Sequence, residues 1–138
     1  MTSIDELLEK PKEFETDTVD VDVSGSLVTL KFTELPGNEW AEITARCPVR
    51  PTVPLDTAYG YNIHAASTFA ASESGVQVDG DTEIPLSDET WQKLLGRLSG
   101  SDFAAVASVV FGLNVWAPQQ RVKALKKASA ATTASTKK

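Results

Sequence analysis

The sequence predicts an α+β fold: a mostly helical single domain with an N-terminal β-hairpin and a disordered basic C-terminal tail. Three observations carry that prediction. Strict alternation of apolar and polar residues occurs early, at Val19, Val21, Val23 and again at Val28, Leu30, Phe32, which is the period of a half-buried strand. Helical spacing governs most of the chain from Pro36 to Trp116. The last stretch, residues 119–138, is almost only Ala, Thr, Ser, Gln and Lys/Arg, a composition too poor in apolar residues to form a core.

Taken in order, Ser3-Ile4-Asp5-Glu6 opens a short helix, with Ser3 as cap and Glu6 at the capping-box position. Ile4, Leu7 and Leu8 share a face, and Pro11 ends the helix. The hairpin is expected at 18–23 and 27–33, joined by Ser24-Gly25-Ser26. Pro36 sits near the first position of a helix that carries Trp40, Ile43 and Cys47 on one side and stops at Pro48. Residues 46–56 hold three prolines and read as a stiff, partly extended connector. An Ala-rich helix is expected over 59–72, with Ile63, Ala66 and Ala70 inward. Residues 75–84 are polar, with a turn at Asp79-Gly80 and room for a short strand.

Two strongly patterned helices come next. Ser87-Asp88-Glu89 caps the first, over 87–98, placing acids where they complement the helix dipole. Trp91, Leu94, Leu95 and Leu98 form its stripe. Ser101-Asp102 caps the second, over 101–116, where Phe103, Val106, Ala107, Val110, Phe111 and Asn114 recur with helical period. Its other face carries Ala104, Ala105, Val109 and Val115, so it is apolar nearly all round. Such a helix is buried on several sides or offers a face to a partner.

Charge divides the chain unevenly. The tail holds six basic residues and no acid, whereas residues 1–118 hold seven basic residues and all nineteen acids, a net charge of −12. The division places a domain at 1–118 and a flexible tail at 119–138. An acidic body argues against nucleic acid as its partner. The N-terminus lacks the apolar stretch of a secretory signal. No apolar run approaches the roughly 20 residues of a membrane span, so no membrane partner is expected. One cysteine, Cys47, excludes an internal disulfide and fits a reducing compartment.

Chemistry-bearing motifs are sparse. Asp20-Val21-Asp22-Val23-Ser24-Gly25 resembles the start of a calcium loop, but the twelfth position, which needs a bidentate carboxylate, is Lys31. His64 is the only histidine and makes a poor metal site alone. Cys47 lies between Arg46 and Pro48 with no activated Cys–His spacing, so a buried helix-end thiol is the better reading. The eight glycines form no phosphate-binding loop or nucleophile elbow. No catalytic residue, metal or cofactor is expected.

The order of segments carries a family resemblance. Thr29-Leu30-Lys31-Phe32-Thr33-Glu34-Leu35-Pro36-Gly37-Asn38-Glu39-Trp40 leads to the Cys47-Pro48 stop and the Pro-rich connector. Tyr61-Asn62 opens a helix, Leu86-Ser87-Asp88-Glu89-Thr90-Trp91 opens another, and Leu98-Ser99-Gly100-Ser101-Asp102-Phe103 leads to Gly112-Leu113-Asn114. Across residues 28–116 this resembles the tail assembly chaperones of long-tailed (siphovirus-type) actinobacteriophages, counterparts of the lambda G-type protein. The resemblance implies a non-enzymatic protein that binds and solubilises the tape measure protein. It implies recruitment of tail tube protein, through a longer form made by ribosomal frameshifting to which the tail is the linker. It places the protein in the host bacterial cytoplasm during infection and outside the mature virion. The alternatives are a structural virion component, such as a tail completion or tube-associated protein, and a small enzyme of unknown chemistry.

The resemblance supplies no binding motif, so protein-interface candidates rest on residue chemistry alone: Phe103, Val106, Val109, Val110, Phe111, Val115 and Trp116. Trp91 is expected in the core, and Trp116, just before Pro118, at an interface. Helices apolar on two faces also make self-association an expectation.

Overall fold

The computed structural model describes residues 3–136. Strands β1 (Thr16–Val23) and β2 (Ser26–Thr33) pair antiparallel across Ser24-Gly25. Both turn residues have positive φ, 54° and 88°, the conformation whose twist matches paired strands. The Asp22 carboxylate accepts the Gly25 N–H at 2.8 Å and stiffens the turn. The sheet is larger than the two strands expected. β3 (Gly75–Asp79) adds beside β2, and β4 (Thr82–Pro85) beside β3, giving a four-stranded antiparallel sheet in the order β1-β2-β3-β4. With helices making up the rest of the regular structure, the fold class is α+β.

The helices are α1 (Ile4–Leu8), α2 (Gly37–Ala45), α3 (Pro54–Tyr59), α4 (Ile63–Ser74), α5 (Asp88–Arg97), α6 (Gly100–Phe111) and α7 (Ala117–Thr136). Side-chain caps at Ser3, Asn62, Ser87 and Ser99 start α1, α4, α5 and α6 by satisfying a free backbone N–H. The cap of α6 is Ser99, which accepts the Asp102 N–H, and not the expected Ser101, which lies inside the helix. The Pro-rich connector is not wholly extended. Pro54 suits the first turn of α3, which closes at Gly60 with φ 88°. The helix expected over 59–72 therefore begins later, at Ile63.

The core sits where α4, α5 and α6 cover the sheet. Phe32 and Leu30 of β2 and Val21 of β1 meet Ala66, Ala70 and Ala71 of α4, Trp91 and Leu94 of α5, and Val106 and Val110 of α6. Trp91 packs on Phe32 with ring centroids 5.9 Å apart. Gly75 lies at the crowded centre. A Cβ there would come within 2.6 Å of the Ala71 carbonyl and of Phe32, and 2.7 Å of Trp91.

Two polar ties fix the connector and the start of α6. Asp56 is fully buried and accepts hydrogen bonds from the Arg50 Nε and Nη2 (2.7 and 3.0 Å), the Arg50 N–H (3.1 Å) and the Ile63 N–H (3.3 Å). The Arg50 guanidinium holds its carboxyl far below the usual carboxylate range against an opposing effect of burial. At the other end of the sheet the Asp102 carboxylate accepts the Asp22 N–H at 2.9 Å.

The C-terminal segment departs most from expectation. The helical path expected to end at Trp116 continues, and no disordered tail begins at residue 119. A π-helical turn, Gly112–Trp116, leads directly into α7, which runs to Thr136. Pro118 lacks an N–H and its ring would meet the carbonyl four residues back, so a regular α-helix would break there. The wider turn passes the backbone bond from the Ala117 N–H to the Gly112 carbonyl, and Pro118 falls in the first turn of α7, where it is tolerated. Ala, Lys, Gln and Arg are strong helix formers, and that property outweighed low complexity. Lys137 and Lys138 lie outside the described residues.

Side chains dock the base of this helix. Asn114 donates to the Val110 carbonyl (2.9 Å) and accepts the Leu35 N–H (2.8 Å). Arg121 donates to the buried Glu34 carboxylate at 2.8 Å. Its Nη1 lies 3.1 Å from Glu15, a charge contact without hydrogen-bond alignment. Burial alone would raise the Glu34 carboxyl. The Arg121 hydrogen bond, the Glu15 N–H and the charges of Arg121 and Lys12 bring it below its ordinary value. The body therefore extends past residue 118. From Val122 to Ala131 the helix is exposed.

The path Gly100–Ala131 contains an 18-residue window of mean hydropathy 1.3, long and apolar enough by composition to cross a membrane. This corrects the expectation that no segment reaches that length. Part of its apolar content is used internally, because Val106, Val110 and Leu113 are buried against the body.

Candidate functional site

The apolar surface of α6 divides into two sides. Val106 and Val110 are buried in the core, 2% and 0% exposed, which removes both from the expected interface. They sit four residues apart on the side facing the sheet, where helical period brings them together. Val109 is half-buried and packs against that core. Val115 is half-buried within the π-helical turn, and Trp116 is 61% exposed there. Phe103 and Phe111 remain half-buried on the outer side.

Phe103 and Phe111 each border one end of an open groove along α6, formed by two adjoining surface depressions. One end, of about 530 Å³, is lined by His64, Leu98, Gly100, Phe103, Ala104, Ala107 and Ser108. The other, of about 270 Å³, is lined by Arg50, Val53, Leu55, Asp56, Ile63, His64, Ala107, Ser108 and Phe111. His64, Ala107 and Ser108 border both. The groove is open to solvent along its length. From Gly100 to Phe111 it follows the helix for roughly 16 Å, or three turns.

Aromatic contacts hold both walls. His64 stacks on Phe103 with centroids 4.5 Å apart and planes 22° apart. Tyr59 meets Phe111 edge-on at 5.2 Å. Tyr59 also contacts Tyr61, which in turn stands edge-on to Trp40. The Arg50–Asp56 pair positions the loop carrying Val53 and the start of α4 carrying His64. Leu55 and Tyr59 are exposed at the rim, 56% and 41%.

Sequence reasoning finds Phe103 and Phe111 but misses their neighbours. In the sequence His64 reads only as structural. Its stacking partner lies thirty-nine residues away and is joined to it by tertiary packing alone. The readable signal is Ala104, Ala107 and Ser108, small residues at helical spacing between two phenylalanines.

Other reactive groups lie apart from the groove's chemistry. Cys47 is buried and donates to the Ile43 carbonyl at 3.2 Å. Burial pushes its thiol up, against a smaller downward pull from Arg46. Asp20 accepts from the Thr29 hydroxyl at 2.6 Å on the sheet rather than in a loop. Among the described residues no three His, Cys, Asp or Glu side chains converge as a metal site. The groove mixes apolar and aromatic side chains with the polar groups of His64, Ser108, Arg50 and Asp56.

No family model, curated protein or solved structure matches the chain.

Proposed function

We propose that this protein is a non-enzymatic tail assembly chaperone of a long-tailed bacteriophage. It binds the tape measure protein, keeps it soluble in the host cytoplasm, and helps recruit tail tube subunits during tail assembly. The observation that carries the reading is the open groove along α6 between Phe103 and Phe111. Its three-turn length suits one amphipathic stretch of a long helical client. The order of sequence segments supports the same reading, and so does the acidic body, which keeps a protein with exposed apolar surface dispersed. In a longer, frameshifted form, α7 and its basic continuation are the arm leading to a tube-recruiting domain.

Co-expression with the tape measure protein tests the proposal. The wild-type chain should move that protein into the soluble fraction. Phe103→Asp and Phe111→Asp should each abolish the effect while keeping a cooperative thermal transition, because neither ring is in the buried core. Unchanged solubility of the tape measure protein with the wild-type chain overturns the function. Full activity in both variants overturns the groove as its site.

A further inference from the structure

A second apolar cavity, of about 290 Å³, lies between the sheet and α5 on other residues than the α6 groove. Val23, Val28, Leu86 and Leu94 line it, and Lys93 and Arg97 stand among its border residues. Arg97 makes no ion pair among the described residues, whereas Lys93 is paired with Glu89 at 3.1 Å. Arg97 beside this apolar cavity suits an apolar group flanked by carboxylates.

The chain carries such a group. Helix α1 buries none of its residues. Ile4, Leu7 and Leu8 are 74%, 49% and 74% exposed, and Asp5, Glu6 and Glu9 accompany them. Apolar residues at this spacing on one side of a helix remain exposed only at a cost when water is the neighbour.

We propose that α1 docks in the α5 cavity of a second copy of this chain. Its leucines enter the apolar cavity, and its acids meet Arg97. The chain's own cavity is the harder target. Lys12, just after α1, lies 3.7 Å from Glu34 and over the Phe14 ring. Glu34 follows the end of β2, where Thr33 pairs with Thr16, whereas Val23 and Val28 lie at the opposite end of these strands. To reach it, α1 must fold back along β1 for roughly 20 Å and release both Lys12 contacts. A neighbour's cavity requires neither. Reciprocal exchange gives two equal contacts about a two-fold axis, and the second contact forms at high effective concentration.

Sedimentation of the full chain from micromolar to millimolar concentration tests this. The wild type should dimerise reversibly. Leu7→Asp with Leu8→Asp should weaken the dimer at least tenfold, and Arg97→Glu should do the same; all three positions are exposed, so each variant retains the wild-type melting temperature. Reversing both sides together, with Asp5, Glu6 and Glu9 to Lys and Arg97 to Glu, should restore dimerisation. A wild type that stays monomeric throughout overturns the proposal, including the case where α1 seats in its own cavity. A dimer insensitive to both single-sided variants overturns it, and so does failure of the reversed chain to associate. None of these outcomes bears on client binding at the α6 groove.

Discussion

Replacing Arg121 with alanine should detach the base of α7 from the body. Arg121 makes one charge-assisted hydrogen bond, 2.8 Å, to Glu34, which is 6% exposed. A hydrogen bond to a charged group contributes about 1.5–3 kcal/mol net. Arg121 is 35% exposed, so solvent screening favours the lower part of that range, and the half-exposed Glu15 adds little. After substitution Glu34 keeps only the Glu15 N–H at 3.4 Å and Lys12 at 3.7 Å. The expected loss is roughly 1.5–2 kcal/mol, a fall in Tm of about 5–8 °C for a chain of this size. Thermal unfolding followed by circular dichroism at neutral pH measures it. Glu34→Gln removes the buried charge, so the double variant should lose less than the sum of the singles. Acid gives a second check. The folded Glu34 carboxyl lies below its ordinary value of 4.5, so its stabilisation is complete above that pH and fades as pH falls through the folded value. The gap between wild type and Arg121→Ala should therefore narrow in acid. Deleting residues 119–138 should match the loss in Arg121→Ala, whereas deleting 123–138 should leave Tm nearly unchanged. An Arg121→Ala variant melting within a degree of wild type at neutral pH refutes the docking.

The core and the connector supply two further outcomes. Gly75→Ala should destabilise by about 2–3 kcal/mol, read by urea unfolding at unchanged m-value, because its methyl meets backbone and ring atoms that have no room to move. Asp56→Asn should lower Tm at neutral pH by removing the charge that binds Arg50. Since the folded Asp56 carboxyl lies far below its ordinary 3.8, that stabilisation is present above the ordinary value and declines below it, so wild type and variant should converge on acidification.

Local signals marked much of the fold. The caps at Ser3 and Ser87 and the alternating runs required only neighbouring residues, and Trp91 and Leu94 announced their burial through helical period. The third and fourth strands were harder. β3 is short, and β4 is exposed at all four positions, so neither has a clear alternation; pairing of β3 with β2, and of β4 with β3, is what orders them. At the candidate site the composition of α6 marked an apolar helix but not which side faced the sheet. Its valines and phenylalanines therefore read alike in sequence, although Val106 and Val110 belong to the core and Phe103 and Phe111 to the groove.

The tail shows the division most clearly. Sequence alone determined that residues 119–138 are basic, rich in small residues and unable to build a core of their own. It also held the helix propensity of Ala, Lys and Gln. Whether a helix passes Pro118 depended on the π-helical turn before it and on Asn114, Glu15 and Glu34 meeting Leu35 and Arg121 across the fold. Those contacts join residues about eighty positions or more apart in the chain. Periodicity and composition are local properties and cannot contain them, so the tertiary structure decided where the tail begins and which face of α6 remains open.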